Sequence, residues 1–217
     1  MISDVQNIDC MEFMKTLPDG FFDLAIADPP YGIDVNKMNL GATTRRTDKG
    51  DTKWDTAAPP QEFFDELRRV SKEQIIWGGN YFPLPLSDDW IIWYKENPPG
   101  LSFADAELAW CSIHKKVRVF KRRSQLPDMG DKIHITQKPA ALYVWLLRNY
   151  AQPGMKIFDP MMGSQSSRIA AYKLGFDYWG CELDAGYFRK GCARFNEVCR
   201  GIVEVGGGAT VQQMDLF

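Results

Sequence analysis

The run Phe22-Asp23-Leu24-Ala25-Ile26-Ala27 passes directly into Asp28-Pro29-Pro30-Tyr31 and closes at Gly32. A short β-prone stretch ending in a carboxylate, two prolines and an aromatic predicts a strand whose C-terminal end opens into a stiff loop. Open α/β sheets bind their ligands at such strand ends. Each proline holds φ near about −65° and disfavours the α region for the residue before it, so Asp28 and Pro29 are pushed toward extended backbone with their carbonyls turned outward. A carboxylate, a fixed carbonyl and an aromatic face are then presented together. Two acceptors suit an amino group with two hydrogens, and the ring suits a flat base laid on it.

The rest of the chain supplies the layers such a strand needs. Val5-Gln6-Asn7-Ile8 is a weak strand ending at Asp9, followed by an amphipathic stretch with Met11, Phe13, Met14 and Leu17 that Pro18-Asp19-Gly20 stops. Residues 59 to 70 predict a helix, with Phe63, Phe64, Leu67 and Val70 at three and four spacing. Residues 74–77 and 90–93 predict buried strands on either side of Gly78-Gly79, a pair that lets backbone approach a ligand closely or marks a tight turn. Residues 104–110 and 117–120 predict a hairpin-like pair, whose alternation puts Val117 and Val119 on a packing face and Lys116, Arg118 and Phe120 on a partly cationic one. Helices over 140–149, 168–174 and 185–199, the last capped by Asp184, alternate with strands over 155–158 and 178–181. A chain of 217 residues in this order predicts one three-layer α/β domain over 1–200, its sheet mostly parallel with one reversed strand.

Three motifs, in this order, resemble those of the DNA amino-methyltransferases that use S-adenosylmethionine. Asp28-Pro29-Pro30-Tyr31 matches the family's catalytic DPPY. His134-Ile135-Thr136-Gln137-Lys138-Pro139 resembles its HPTQKP segment, departing from it at Ile135. Phe158-Asp159-Pro160-Met161-Met162-Gly163-Ser164 resembles its glycine loop, usually Asp-Pro-Phe-x-Gly-Ser-Gly-Thr, with Gln165 at the second glycine. A catalytic motif ahead of the cofactor motif is the order of the circularly permuted β class. The resemblance implies a Rossmann-like sheet permuted so that the first strand neighbours the last, and transfer of a methyl group to the exocyclic amine of a base flipped out of double-stranded DNA. Asp28, Pro29, Pro30 and Tyr31 are then the catalytic loop. Adenine N6 is the expected target, because the family's adenine enzymes usually carry Asp at the motif's first position and its cytosine enzymes Ser.

Cofactor contacts are expected from Asp9, Thr136, Gln137, Lys138, Asp159, Pro160, Gly163, Ser164 and Glu182. Oriented donors at a helix N-terminus suit a carboxylate, and an acidic residue about 20 residues after a glycine loop suits ribose hydroxyls. For Asp9 an ordinary turn carboxylate is the alternative. N4-cytosine methylation, RNA amino-methylation and a non-catalytic DNA-binding module with a decayed cofactor pocket are the competing readings. The last rests on Gln165: if its site needs φ > 0, the side chain costs about 1 kcal/mol relative to Gly and crowds the ligand.

The net charge of −2 argues against an indiscriminate polyanion binder, but the charge is uneven. The segment through Asp28 is acidic, while Lys115, Lys116, Arg118, Lys121, Arg122 and Arg123 crowd one interval. Lys121, Arg122 and Arg123 are candidate DNA contacts, with a solvated edge strand guarded by cations as the alternative. Residues 33–56 read as a flap in which Arg45 and Arg46 are candidate phosphate contacts. Target recognition is expected from inserts at about 33–56 and 96–133. Five cysteines without a Cys-x-x-Cys and two histidines indicate neither a disulfide framework nor a metal site. With no apolar run approaching a membrane span and no signal-peptide pattern, the expected place is the cytoplasm; a homodimer is compatible with this reading. Residues 201–217 read as a flexible tail around Gly206-Gly207-Gly208. Its end, Gln213-Met214-Asp215-Leu216-Phe217, resembles the short peptide by which bacterial DNA-processing proteins attach to the replication sliding clamp.

Overall fold

The structure, a computed structural model, describes residues 1–33, 57–97, 104–114, 116–123, 133 and 136–200, together with the backbone of 202–205 and 209–212. In chain order the elements are β1 (Ser3–Gln6), α1 (Cys10–Lys15), β2 (Phe22–Ala27), α2 (Gln61–Val70), β3 (Ser71–Trp77), a 3₁₀ turn (Gly79–Tyr81), β4 (Trp90–Tyr94), β5 (Ala106–Cys111), β6 (Arg118–Lys121), α3 (Ala140–Tyr150), β7 (Lys156–Asp159), α4 (Ser166–Leu174), β8 (Asp177–Cys181) and α5 (Ala185–Arg200). Two short strands, β9 (Ile202–Val205) and β10 (Ala209–Gln212), pair antiparallel, so the stretch expected to be a flexible linker carries a ladder.

Eight strands form one sheet in the order β1-β8-β7-β2-β3-β5-β4-β6. All run parallel except β5, which is antiparallel to both β3 and β4. The first strand lies beside the last strand of the sheet, as a permuted Rossmann-like topology requires. Alternation along β2 sends Leu24 and Ile26 to the face covered by α3 and α4, where Leu142, Leu146, Ala170 and Ala171 are buried. Ala25 and Ala27 face the other layer, in which α1 and α2 bury Phe13, Met14, Phe63, Phe64, Leu67 and Val70. Phe22 of β2 stacks on Phe158 of β7, ring centroids 4.4 Å apart, and locks the two central strands together.

Two expectations at the sheet edge are corrected. β5 and β6 do not form a hairpin, because β4 lies between them and pairs with each. The faces of β6 are also reversed. Phe120 packs against Trp145 of α3 and Arg118 donates to Asn149 Oδ1 at 2.8 Å, while Val117 and Val119 are exposed. Turned inward, Phe120 gains an aromatic partner in Trp145 at 5.6 Å between centroids, a contact a valine could not make.

Candidate active site

The parallel strands β2, β7 and β8 end side by side and deliver Asp28, Asp159 and Glu182 to one rim of the sheet. Around Asp28 three charges from separate elements converge. Lys138, just ahead of α3 and only 4% exposed, places Nζ 2.5 Å from Asp28 Oδ1 and 3.1 Å from Glu107 Oε2 of the reversed strand. Lys95, following β4, meets Glu107 Oε1 at 2.6 Å. The Tyr31 hydroxyl donates to the same Asp28 oxygen at 2.9 Å. Both donors to Asp28 therefore fall on Oδ1, and among the described residues none reaches Oδ2.

Burial works against the charged form of Glu107, yet Lys138 and Lys95 together hold its carboxyl at about 2. Burial pushes the Asp28 carboxyl up, Glu107 adds to the push, and Lys138 opposes it. Burial alone would lower the Lys138 ammonium, but Asp28 and Glu107 outweigh it and raise it. Burial beside the same two carboxylates pushes the Tyr31 phenol far up, so it remains an O–H donor.

The Tyr31 ring is wedged. Tyr81 stacks on it at 5.2 Å between centroids, with 16° between planes, and is itself half exposed. Beneath it lies Gly78 at φ +69°, where a Cβ would stand 2.3 Å from Tyr31 Cε1. The double glycine is thus used for close approach to Tyr31. Trp93 is 2% exposed, and its Nε1 donates to the Arg122 carbonyl, so it belongs to the core. Glu107 was missed by sequence reasoning. Its only signal was a carboxylate inside the apolar run Ala106-Glu107-Leu108-Ala109-Trp110.

The neighbouring corner is built on the glycine loop. Asp159 is buried, accepting from Met161 N–H at 3.0 Å and from the Ser167 hydroxyl at 2.5 Å; burial pushes its carboxyl up to about 7. Glu182 accepts from Gly163 N–H at 2.9 Å and Asp184 N–H at 2.8 Å, tying the end of β8 to the loop. Asp184 caps α5 as expected, accepting from Tyr187 N–H. Asp9 caps α1, its Oδ1 accepting from Met11 and Glu12 N–H. Ser166 donates its hydroxyl to the Lys138 carbonyl at 2.7 Å, and Arg194 donates to the Ser164 carbonyl at 2.7 Å. Lys138 thereby joins both corners, backbone to the glycine loop and ammonium to the DPPY loop. Thr136 is exposed, Pro160 buried. Gln137 is buried, its Oε1 accepting from Ile133 N–H, while its Nε2 has no partner among the described residues.

Gln165 has φ +59°, the left-handed conformation that the family's glycine would supply. Its side chain turns beneath the loop, where Oε1 accepts from Arg168 Nη1 at 2.9 Å and Nε2 lies 3.3 Å from Cys192 Sγ. Gly191 of α5 makes the room: a Cβ there would stand 2.8 Å from Gln165 Cγ. The strain is real, but the side chain is absorbed between α4 and α5.

Of the candidate DNA contacts, Lys121 and Arg123 are exposed at the end of β6 and Arg122 is partly buried beside them. Arg45, Arg46, His134, Ile135 and the tail 213–217 lie outside the described residues. Among the described residues no group of three side chains could hold a metal ion, and no helix is long and apolar enough to cross a membrane.

Comparison with known proteins bears on this rim. A family model described as DNA methylase (N6_N4_Mtase) matches residues 88–192. The type II methyltransferase M.HinfI of Haemophilus influenzae is 26% identical over an alignment covering 88% of this chain and 67% of that protein. Among solved structures, the M1.HpyAVI–SAM complex superposes with a TM-score of 0.59 at 22% identity, covering 89% of this chain and all of that one. The cytosine-N4-specific PvuII DNA methyltransferase superposes at 0.55 with 13% identity, over 93% of this chain and 94% of that one.

Proposed function

We propose that the chain is an S-adenosylmethionine-dependent DNA methyltransferase of the N6/N4 DNA methylase family and that it methylates adenine at N6, with Asp28-Pro29-Pro30-Tyr31 as the catalytic loop. The observation that carries this reading is the state of Asp28: a carboxylate at the end of β2 with Oδ1 taken by two donors and, among the described residues, Oδ2 without one. Oδ2 and the Pro29 carbonyl accept the two hydrogens of the target amine. That returns electron density to a nitrogen whose lone pair is otherwise delocalised into the ring. Once the nitrogen has gained its methyl group, its surplus proton passes to Asp28 Oδ2, which burial has made more basic than a surface carboxylate. The base leaves the duplex to reach this point and lies against Tyr31. Since Tyr81 already covers that ring, capture exchanges one aromatic partner for another.

The cofactor, when bound, supplies a methyl group on a positively charged sulfur. The residues present fit it. The unpartnered Gln137 Nε2 at the N-terminal end of α3, with Thr136 and the Lys138 backbone, suits the amino-acid carboxylate. Asp159, Pro160, Gly163 and Ser164 would supply the loop that holds it, Glu182 would accept from the ribose hydroxyls and Asp9 from the adenine amine. Because Gln165 packs beneath the loop and Gly191 accommodates it, the side chain does not argue for a decayed pocket.

Segments 33–56 and 96–133 read the target, with Arg45, Arg46, Lys121, Arg122 and Arg123 on phosphates, and residues 213–217 tether the enzyme to a sliding clamp. Methylation-sensitive sequencing of DNA from cells expressing the protein tests the target. N6-methyladenine in a fixed sequence context is expected. N4-methylcytosine would move the reading to the other branch of the family, and no new methylation would overturn it.

A further inference from the structure

Lys138 stands in the stretch that leads into the cofactor-binding helix, yet its ammonium lies between two carboxylates, 2.5 Å from Asp28 and 3.1 Å from Glu107. Its position leaves little freedom. The ammonium lies 5.3 Å from the Trp77 ring centroid and 5.7 Å from that of Tyr31, and the Lys138 carbonyl is held by Ser166. Glu107 is oriented in turn, with Lys95 on its other oxygen at 2.6 Å. Lys95, Glu107, Lys138 and Asp28 thus form an alternating chain of four charges drawn from β4, β5, the entrance to α3 and the end of β2.

We propose that Lys138, aimed by Glu107, is a positioning residue for Asp28: it keeps the carboxylate ionised and pins Oδ1 so that Oδ2 faces the target amine. The consequence for catalysis rests on the methyl-transfer reading above; the electrostatic part does not. The arithmetic of charge favours the role. A carboxylate taken out of water tends to protonate, and a protonated Asp28 accepts fewer hydrogens from an amine. Besides Lys138, the titratable groups facing Asp28 are Tyr31, Glu107, Tyr143 and Asp159, with Lys95 behind Glu107. Among the described residues, Lys138 is the one cation in direct contact with Asp28. Glu107 would raise Asp28 if it stood alone; paired with Lys138 it orients the cation that opposes that effect. The strand reversed in the sheet therefore serves the loop at β2 through a lysine from a third element.

The experiment follows Asp28 directly and through turnover. Protein labelled at aspartate side-chain carboxyls with carbon-13 is titrated by NMR, and the Asp28 signal is assigned from Asp28→Asn. In Lys138→Met the Asp28 titration should move upward by about one unit or more, the size expected on losing an adjacent opposite charge. Lys138→Arg should bring it back toward the wild-type position, and Glu107→Gln should move it downward. With S-adenosylmethionine carrying a tritiated methyl group and unmethylated genomic DNA as substrate, the acid limb of kcat should shift in the same directions. The Kd for S-adenosylmethionine by calorimetry should stay within about threefold in Lys138→Met. An unmoved Asp28 titration in Lys138→Met, or a tenfold loss of cofactor affinity with the titration unmoved, overturns the inference and returns Lys138 to the cofactor. Wild-type protein that titrates as described but transfers no methyl group would instead sink the functional reading and leave the electrostatic role standing.

Discussion

Glu107 and Asp159 are carboxyls withdrawn from water on opposite sides of β2, and they end in opposite states. Burial pushes both upward. Glu107 is nevertheless held at about 2 because two ammonium groups reach it, while Asp159, met by a hydroxyl and an amide and facing Asp28 and Glu182, rises to about 7. Neutral donors satisfy a buried carboxyl without repaying the loss of hydration that its charge entails, and cations do repay it. The two corners of the rim differ in that respect. The corner at β2 is a set of matched charges, and the corner at β7 is a hydrogen-bonded frame in which burial raises the acid.

The largest expected effect breaks the first corner. Asp28→Ala should lower methyl transfer by roughly 100- to 1000-fold or more, by analogy with loss of one preorganised polar partner. Cofactor affinity, measured by calorimetry, should remain close to wild type, because the glycine-loop corner is untouched. Substantial activity in Asp28→Ala would remove the mechanism. Next comes Tyr31, whose hydroxyl and ring now carry separate jobs. Tyr31→Phe keeps the face but loses the donor to Asp28, and Tyr31→Ala loses both, so both should be impaired, the alanine variant more. Equal loss in the two would place the whole effect on the hydroxyl.

The second corner is probed through pH. The folded-state value of Asp159, about 7, lies above the ordinary 3.8, so the native state holds a proton that the unfolded chain releases between those limits. That contribution is complete below about 4 and is lost as pH rises toward 7. A shift of about three units has an upper bound of about 4 kcal/mol, and relaxation should leave about 1–3 kcal/mol. Asp159→Asn should therefore gain stability relative to wild type when urea melts at pH 8 are compared with melts at pH 5. A constant difference across that range would mean that Asp159 is ionised in the native protein. Within the same corner, Gly191→Ala forces a methyl group against Gln165 and should destabilise by about 1–3 kcal/mol. Adding Gln165→Gly should recover part of that loss, since the clash and the left-handed strain are removed together.

Much of the rim could be read from the sequence because its signals are local. The strand Phe22–Ala27 is observed with the bounds its apolar run implied, and the cap of α5 at Asp184 follows from residue type and position. Gln165 announced its own strain by standing where a glycine belongs. The destination of its side chain could not be read, since Gly191 belongs to a different helix. Glu107, Lys95 and Lys138 show the same limit more strongly: Glu107 and Lys95 are ordinary charges in their own segments, Lys138 stands out only as a cofactor contact, and only a sheet that brings β4, β5 and the entrance of α3 together makes them a set. The edge was misread for a related reason. Strands adjacent in sequence need not be partners in a sheet, and a four-residue strand with apolar residues on both faces does not declare which one packs.

The smallest expected effect lies at that edge, where cations contrast with those of the site. Lys95 and Lys138 are committed to carboxylates, whereas Lys121 and Arg123 are exposed and among the described residues meet none. Arg122 between them is held by its backbone, its N–H donating to the Tyr94 carbonyl at 3.1 Å and its own carbonyl accepting from Trp93 Nε1 at 2.8 Å. Arg118 is turned toward Asn149 on α3. A solvated cation is what a phosphate can displace water from, and each such contact contributes about 0.9 to the slope of log K against log salt. Replacing Lys121 and Arg123 together by Gln should therefore flatten the slope by about 1.8 and weaken binding to duplexes of any sequence by a similar factor, while Arg118→Gln should leave the slope near wild type. Titrations at several salt concentrations decide between the two. An unchanged slope in the double variant would make these side chains guards of an open strand edge, and DNA would then have to be held elsewhere on the protein.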